Sequence, residues 1–233
     1  MKTVAIVLAA GKGTRMKSDI PKQYIMLEGY PVLYYALKVF EESFIDEVVL
    51  VTGENDINYC EEEVVKKYGF HKVKKVIAGG KERYQSVYQG IKAIDNADYV
   101  YIHDGARPFL TEDILQRVQK EVEQSHACVV GMPVKDTIKI VNYERIVKET
   151  PDRNFLWQIQ TPQAFSFSLI KSAYEKLMKA EIENVTDDAM VVELMEQHAV
   201  KVVEGSYTNI KITTPEDLEI GGIYIKKEKN KKN

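Results

Sequence analysis

Regular alternation between short β-prone runs and amphipathic helical segments is what most limits the folds open to this chain. Val4–Leu8, Glu47–Thr52, Val73–Ala78, Tyr99–His103, Cys128–Met132 and Val200–Glu204 read as strands, and most are near-continuous apolar runs. Such runs suit strands covered on both faces, as in a parallel sheet. Between them, helical periodicity predicts helices over Val32–Glu42, Ile57–Tyr68, Glu82–Ile94, Glu112–Ser125, Ser168–Lys179 and Asp187–Gln197. The pattern predicts an α/β fold: an open, mostly parallel sheet with helices on both faces. Terminal signals agree with it. Thr111 can cap the helix after Pro108, Asp187 and Asp188 suit a helix N-terminus, and Thr214-Pro215-Glu216-Asp217 puts Pro at the first helical position.

One stretch departs from the alternation. From Pro133 to Trp157 the pattern is strand, turn, strand: Thr137–Val141, Asn142–Arg145, Ile146–Thr150. A two-stranded hairpin is marginal alone and needs something to pack against. It is read as an inserted arm, 133–157, resting either on a second subunit or back on its own domain. Residues 1–225 are expected to form one domain including this arm, and the lysine- and asparagine-rich 226–233 a frayed, solvated tail.

With 233 residues and 45% hydrophobic content, the chain can bury a full core. A net charge of -3 argues against a general nucleic-acid coat, which needs an excess of base. No apolar run approaches a membrane span, so no membrane role is expected. Val4–Ala10 is too short and too soon followed by Lys12 and Arg15 for a leader, and reads better as a buried first strand. Cys60 and Cys128 stand far apart with no Cys-x-x-Cys pair or His cluster, as expected of reduced structural thiols in a cytosolic protein.

The chemistry-bearing segment follows the first strand: Leu8-Ala9-Ala10-Gly11-Lys12-Gly13-Thr14-Arg15-Met16, then Pro21-Lys22-Gln23. Small residues at the end of a buried strand let backbone approach a ligand, and glycines can turn successive N–H groups toward an anion. The loop lacks the Walker A spacing, and Met16 stands where the dinucleotide fingerprint needs its third Gly. Arg15 and Lys22 add cations to a loop already suited to a triphosphate. Their plainer reading is ordinary surface charge.

Later segments narrow this: Gly79-Gly80-Lys81-Glu82-Arg83-Tyr84-Gln85-Ser86-Val87, His103-Asp104-Gly105-Ala106-Arg107-Pro108, Lys135-Asp136-Thr137, Arg153, Thr161-Pro162-Gln163, Thr186-Asp187-Asp188-Ala189 and Asn209-Ile210-Lys211-Ile212-Thr213. In this order they resemble the 2-C-methyl-D-erythritol 4-phosphate cytidylyltransferases, a family of sugar-phosphate cytidylyltransferases, from Val4 to about Ile220. The resemblance implies a Rossmann-like nucleotidyltransferase that joins a sugar phosphate to the α-phosphorus of CTP in non-mevalonate isoprenoid synthesis. It implies Mg²⁺ held mainly by CTP phosphates, with no protein metal ligand assigned. By the resemblance Arg15, Lys22, Arg153 and Lys211 are catalytic. Ala9, Ala10, Gly11, Gly13, Arg15, Lys22, Gly79, Gly80, Lys81, Ser86 and Gly105 surround the nucleotide. Asp104, Arg107, Thr137, Arg153 and Lys211 meet the acceptor. It also implies a homodimer in which the arm completes the neighbouring site. Two other readings stay open: a cytidylyltransferase for another polyol phosphate such as ribitol 5-phosphate, and a nucleotide sensor without catalysis. Thr186-Asp187-Asp188 reads mainly as a helix cap, and His103 as a packed strand residue.

Overall fold

The computed structural model describes the whole chain except Lys12, Thr14, Arg15, Lys17, Asp19, Glu181, Glu183 and Asn233, and except the side chains of residues 228–232. The chain opens with β1 (Thr3–Ala9), a small ribbon of β2 (Met26–Leu27) and β3 (Tyr30–Pro31), α1 (Val32–Glu42) and β4 (Glu47–Thr52). Then come α2 (Ile57–Tyr59), which runs on as a π-helical stretch Cys60–Lys66, β5 (Val73–Ala78), α3 (Arg83–Lys92), β6 (Tyr99–Asp104), α4 (Glu112–Ser125) and β7 (Ala127–Pro133). The last third holds the short strands β8 (Ile140–Val141) and β9 (Val147–Glu149), then β10 (Trp157–Ser166), α5 (Phe167–Leu177), α6 (Asp188–Glu196), β11 (Lys201–Glu204) and α7 (Pro215–Lys232).

Seven strands form one sheet in the order β11-β7-β10-β6-β1-β4-β5. β1 pairs in parallel with β4 and β6, β4 with β5, and β7 with β11, while β10 runs antiparallel between β6 and β7. Alternate residues of β1 feed opposite faces. Ala5, Val7 and Ala9 join a core with Leu33, Leu37 and Phe40 of α1 and Ile114 and Val118 of α4. Val4 and Ile6 join Val87 and Ile91 of α3, Ile170 and Tyr174 of α5 and Val191 of α6. Both faces of the central sheet are therefore dry, which is why β1 is apolar almost throughout, while the edge strands β5 and β11 keep exposed Lys74, Lys75, Lys201 and Glu204. The expected mostly parallel α/β sheet is the observed one.

Three details differ from the sequence reading. β10 is absent from the expected strands, because Trp-Gln-Ile-Gln-Thr-Pro-Gln is polar and contains a proline. A proline fits inside a sheet only where the ladder is interrupted. Here the pairing of β10 with β7 shifts register between Ile159 and Gln163, and Pro162 sits in that interruption after a cis peptide bond. The hairpin is shorter than expected. Its ladder is confined to Ile140–Val141 and Val147–Glu149, around a turn where the Asn142 side chain accepts from the Ile146 amide. All five residues of the two strands are exposed, and among the described residues no third strand joins them. Finally, α7 continues through the lysine-rich end to Lys232, where a frayed tail is expected. Lys and Glu are good helix formers, and no Gly or Pro interrupts that stretch.

Thr111 caps α4 by accepting from the Ile114 amide, and Asp187 caps α6 by accepting from the Met190 amide. Asp217 accepts from the amides of Thr213 and Thr214 ahead of Pro215, closing the start of α7.

Candidate active site

β1 and β6 end side by side, with Leu8 opposite Asp104. From β1 the sheet grows toward β4 and β5 on one side and toward β6 and β10 on the other. Loops leaving neighbouring strand ends at such a division diverge and leave a crevice, the usual ligand position in open α/β sheets. A cleft of about 190 Å³ lies there. Its walls are Leu8, Ala9, Ala10, Gly11, Lys22 and Gln23 from the first loop, Gly80 to Arg83 and Ser86 from the start of α3, Asp104 and Ala106 beyond β6, and Lys211.

Local chemistry holds each wall. After Pro21, Lys22–Tyr24 forms a short 3-10 turn. Gln23 Nε2 donates to the Ala9 carbonyl at 2.5 Å, and the Tyr24 hydroxyl lies 2.6 Å from Thr52 Oγ1, so the loop is tied to the ends of β1 and β4. Lys22 is thereby nearly buried, with 9% exposure. Gly13 has φ 62°, and a Cβ there would stand 3.2 Å from the Lys22 stem, so backbone and side chain fit together only with glycine. At α3, Glu82 and Gln85 form a reciprocal capping box. The Lys81 and Glu82 amides donate to Gln85 Oε1, and the Gly80 amide donates to Ser86 Oγ. A Cβ on Gly79 would fall 2.6 Å from Ser86 Oγ and 2.8 Å from Ala10 Cβ, so glycine allows the two loops to touch.

The charged part of the cleft is built around Asp104. Lys211 Nζ donates to its Oδ2 at 2.7 Å, Arg83 Nε stands 3.5 Å from Oδ1, and Arg107 Nε is 3.9 Å from Oδ2. Burial alone would raise the Asp104 carboxyl. The three surrounding cations outweigh it and hold the group well below the usual carboxylate range. Its backbone amide donates to Thr161 Oγ1 at 3.1 Å, from the interrupted part of β10. Thr161 Oγ1 also lies 3.0 Å from His103 Nδ1, and His103 Nε2 lies 3.2 Å from the Arg107 carbonyl. Burial pushes His103 down to about 4, so the ring is neutral near pH 7. Arg107 Nη1 donates to the Asn209 carbonyl and the Ile212 amide to the Ala106 carbonyl, which fixes the Lys211 segment against the β6 loop.

Of the residues expected from sequence, Ala9, Ala10, Gly11, Lys22, Gly80, Lys81, Ser86, Asp104 and Lys211 line this cleft. Gly13, Gly79, Gly105 and Arg107 stand behind its walls: a Cβ on Gly105 would meet Leu33 Cδ1 at 2.8 Å. Arg15 lies outside the described residues. Thr137 and Arg153 are exposed and lie away from the cleft of their own chain, and Arg153 Nη1 donates to the Lys135 carbonyl. Residues that sequence reasoning did not single out are Gln23, Glu82, Arg83 and, behind them, Asp188. Asp188 is completely buried and pairs with Arg83 through two bonds, Nη1–Oδ1 at 2.9 Å and Nη2–Oδ2 at 2.7 Å. The first Asp of the Asp187-Asp188 pair is the helix cap and the second is an ion-pair partner. Arg83 and Asp188 are 105 positions apart, so nothing local in the sequence signals the pair. Among the described residues, no three His, Cys, Asp or Glu side chains converge as a metal nest.

With that geometry in hand, the chain was compared with known proteins. The profile of the family described as "IspD: 2-C-methyl-D-erythritol 4-phosphate cytidylyltransferase" matches residues 3–227. The chain belongs to this family. It is 50% identical to the Lachnoclostridium phytofermentans 2-C-methyl-D-erythritol 4-phosphate cytidylyltransferase over 217 residues, 93% of each protein. It is 52% identical to the Lachnospira eligens enzyme of that name over 224 residues, 95% of this chain and 98% of the relative. Among solved structures it is similar to the 4-diphosphocytidyl-2C-methyl-D-erythritol synthase of Anaerococcus prevotii, with a TM-score of 0.84 and 33% identity, covering 97% of this chain and 98% of that one. Family membership makes the protein a nucleotidyltransferase and the cleft its candidate active site. Among the described residues, no helix is long and apolar enough to cross a membrane.

Proposed function

We propose that this protein transfers the cytidylyl group of CTP to 2-C-methyl-D-erythritol 4-phosphate, giving 4-diphosphocytidyl-2-C-methyl-D-erythritol and pyrophosphate in non-mevalonate isoprenoid precursor synthesis. A phosphate oxygen of the acceptor attacks the α-phosphorus, a new P–O bond forms, and the bond to the α–β bridging oxygen breaks with its electron pair leaving on pyrophosphate. The acceptor phosphate is already ionised near pH 7, so the step needs no general base. Its barrier comes from bringing two anions together, and fixed cations lower it. The observation that carries this reading is that a nearly buried Lys22 and the Asp104–Lys211 pair line one cleft at the ends of β1 and β6.

In this reading Ala9, Ala10, Gly11, Gly80, Lys81 and Ser86 face the nucleotide. The Gly80 and Lys81 amides are already engaged by Ser86 and Gln85. Lys22, with Arg15, holds the triphosphate and stabilises charge on the leaving group. Lys211 holds the acceptor phosphate, and Asp104 accepts from acceptor hydroxyls. The divalent metal is Mg²⁺. Asp104 is the buried carboxylate of the cleft and is already shared by three cations, a donor set that suits an ion carried in on phosphate oxygens and water. When bound, the ion supplies further neutralisation of triphosphate charge.

The active form is a homodimer in which Thr137 and Arg153 act at the partner's cleft. Support comes from the exposed apolar side chains of the hairpin region, Ile138, Ile140, Tyr143, Ile146 and Phe155 among them. The test is purified protein with CTP and Mg²⁺, offered 2-C-methyl-D-erythritol 4-phosphate or ribitol 5-phosphate, with pyrophosphate release followed. Preference for the first acceptor is expected. Preference for ribitol 5-phosphate, or no release with either, overturns the reading.

A further inference from the structure

Behind the cleft is a second ionic layer that the reaction itself does not call for. Asp188 has no exposed surface, yet it carries a charge partner and two further ties. Arg83 binds both of its oxygens, and the Tyr174 hydroxyl donates to Oδ1 at 2.5 Å. Its amide and that of Ala189 donate to Gln163 Oε1, at 2.9 and 3.0 Å. Gln163 belongs to β10 and also donates to Asp187 Oδ2, so the start of α6 is riveted to the middle of the sheet. Asp188 is thus a rigid post at the back of the site.

Arg83 stands between this post and the cleft. Its two terminal nitrogens are spent on Asp188, and only Nε faces Asp104, at 3.5 Å. A guanidinium forms its strongest carboxylate contact as a two-pronged pair. Freed from Asp188, it would turn that pair onto Asp104, the other carboxylate within reach. Asp104 would then be neutralised from behind and compete less well for Lys211, which it now holds at 2.7 Å. With Arg83 kept back, the long Nε contact is the one hydrogen bond that Asp104 Oδ1 makes among the described residues, which leaves it accepting capacity for a ligand.

We infer that Asp188 is a positioning residue for the acceptor side of the site, acting by holding the Arg83 guanidinium away from Asp104 so that Asp104 keeps Lys211 in place. The inference rests on the proposed assignment of Asp104 and Lys211 to the acceptor. Tyr174 contributes to the same end by fixing the Asp188 carboxylate. Removing one partner of a buried charge pair also destabilises, so a purely structural role is separated from positioning by which substrate suffers.

The experiment compares wild-type protein with Asp188→Asn and Tyr174→Phe, each checked for folding by its thermal midpoint, in steady-state assays that vary CTP and 2-C-methyl-D-erythritol 4-phosphate separately. Asp188→Asn should raise the acceptor KM on the order of tenfold while the CTP KM moves less than about threefold, and Tyr174→Phe should shift the acceptor KM the same way by a smaller factor. An unchanged acceptor KM in folded Asp188→Asn, or equal changes for both substrates, overturns the inference. A crystal structure of Asp188→Asn gives a readout independent of turnover. Arg83 paired through two bonds to Asp104, with Lys211 displaced, is expected, and Arg83 and Lys211 unmoved overturns it. Wild-type protein inactive with this acceptor overturns the proposed function instead, and the structure of the variant still decides the role of Asp188.

Discussion

Two regions of this molecule carry residues expected to act on the same acceptor, and they are held in opposite ways. Around Asp104 every side chain is fixed by partners distant in sequence: Lys211 lies 107 positions away, Thr161 57 and Asn209 from Arg107 102. Around Arg153 the ties are short-range. Its guanidinium donates to the Lys135 carbonyl, Asp152 caps the turn through the Asn154 amide, and Phe155 is 81% exposed. The first region is complete within one chain. The second is apolar, exposed and anchored at its base, which is the condition of a surface awaiting a partner. In the proposed dimer the rigid half would define where the phosphates lie and the exposed half would arrive from a second copy.

The largest expected effect breaks the rigid half alone. Lys22→Ala should lower kcat by a factor on the order of 10² to 10³, because a fixed cation aimed at developing charge is removed, while far-UV circular dichroism stays unchanged. Normal turnover in a folded variant would remove Lys22 from the mechanism. The exposed half comes next. Arg153→Ala should lower kcat/KM for the acceptor by a factor on the order of tenfold to a hundredfold, with CTP binding little changed. Co-expressing it with Lys22→Ala sharpens the comparison. If Arg153 serves the partner's cleft, one cleft of the mixed dimer has both cations and activity returns. Absence of recovery in a verified mixed dimer places Arg153 in its own subunit's site.

A smaller effect is expected from replacing Tyr143 and Phe155 together by Ser. Both side chains are exposed, at 108% and 81%, so the thermal midpoint of the isolated chain should hardly move. Sedimentation should instead show a shift from dimer toward monomer, with acceptor use falling at low protein concentration. A wild-type protein that sediments as a monomer at full activity would dissolve the comparison.

An effect of a different kind, with no bearing on which half meets the acceptor, concerns stability. His103 is pushed down from 6.5 to about 4 by burial, so between those pH values the unfolded chain takes up a proton that the native chain refuses. Its contribution is therefore complete above pH 6.5 and declines as pH falls toward 4, by about 3 kcal/mol in all. Asp104, held low in the fold, adds a further loss only as pH falls below the ordinary carboxylate range. Urea unfolding at a series of pH values from 7 to 4 should show the decline, and His103→Asn should flatten it. An unflattened profile would assign the acid sensitivity to other groups.

The central parallel strands were legible in the sequence because burial on both faces leaves a run of apolar letters, and the edge strand β5 because Val73, Val76 and Ile77 keep β-branched residues around its two exposed lysines. Glu47–Thr52 and Val73–Ala78 fall at the expected bounds, as do Val32–Glu42 and Glu112–Ser125 among helices. β10 was not legible, since its middle carries a proline, Pro162, and two polar side chains, Gln160 and Thr161, that serve as fasteners rather than packing. In the candidate site, Lys22, Asp104 and Lys211 were readable through motif resemblance. Arg83 and Asp188 stand in segments that carry the resemblance, but their pairing was not readable, because an ion pair closed by tertiary folding leaves no spacing to read. Gly79 and Gly105 were expected against the nucleotide, and close packing also demands glycine at both, beside Ser86 and Ala10 at Gly79 and beside Leu33 of α1 and Leu8 of β1 at Gly105.

The place of β10 in the sheet also bears on how the chain is made. β6 receives its second neighbour only when β10 exists, and β10 ends at Ser166. During synthesis β4, β1 and β5 can assemble early, while the outer edge of β6 stays unpaired until some sixty further residues have left the ribosome. An open edge of that kind invites mispairing. Lys211 follows later still, so the wall that carries it is the last part of the cleft to be laid down. A nascent chain therefore has its Lys22 wall before it has anything to react the nucleotide with.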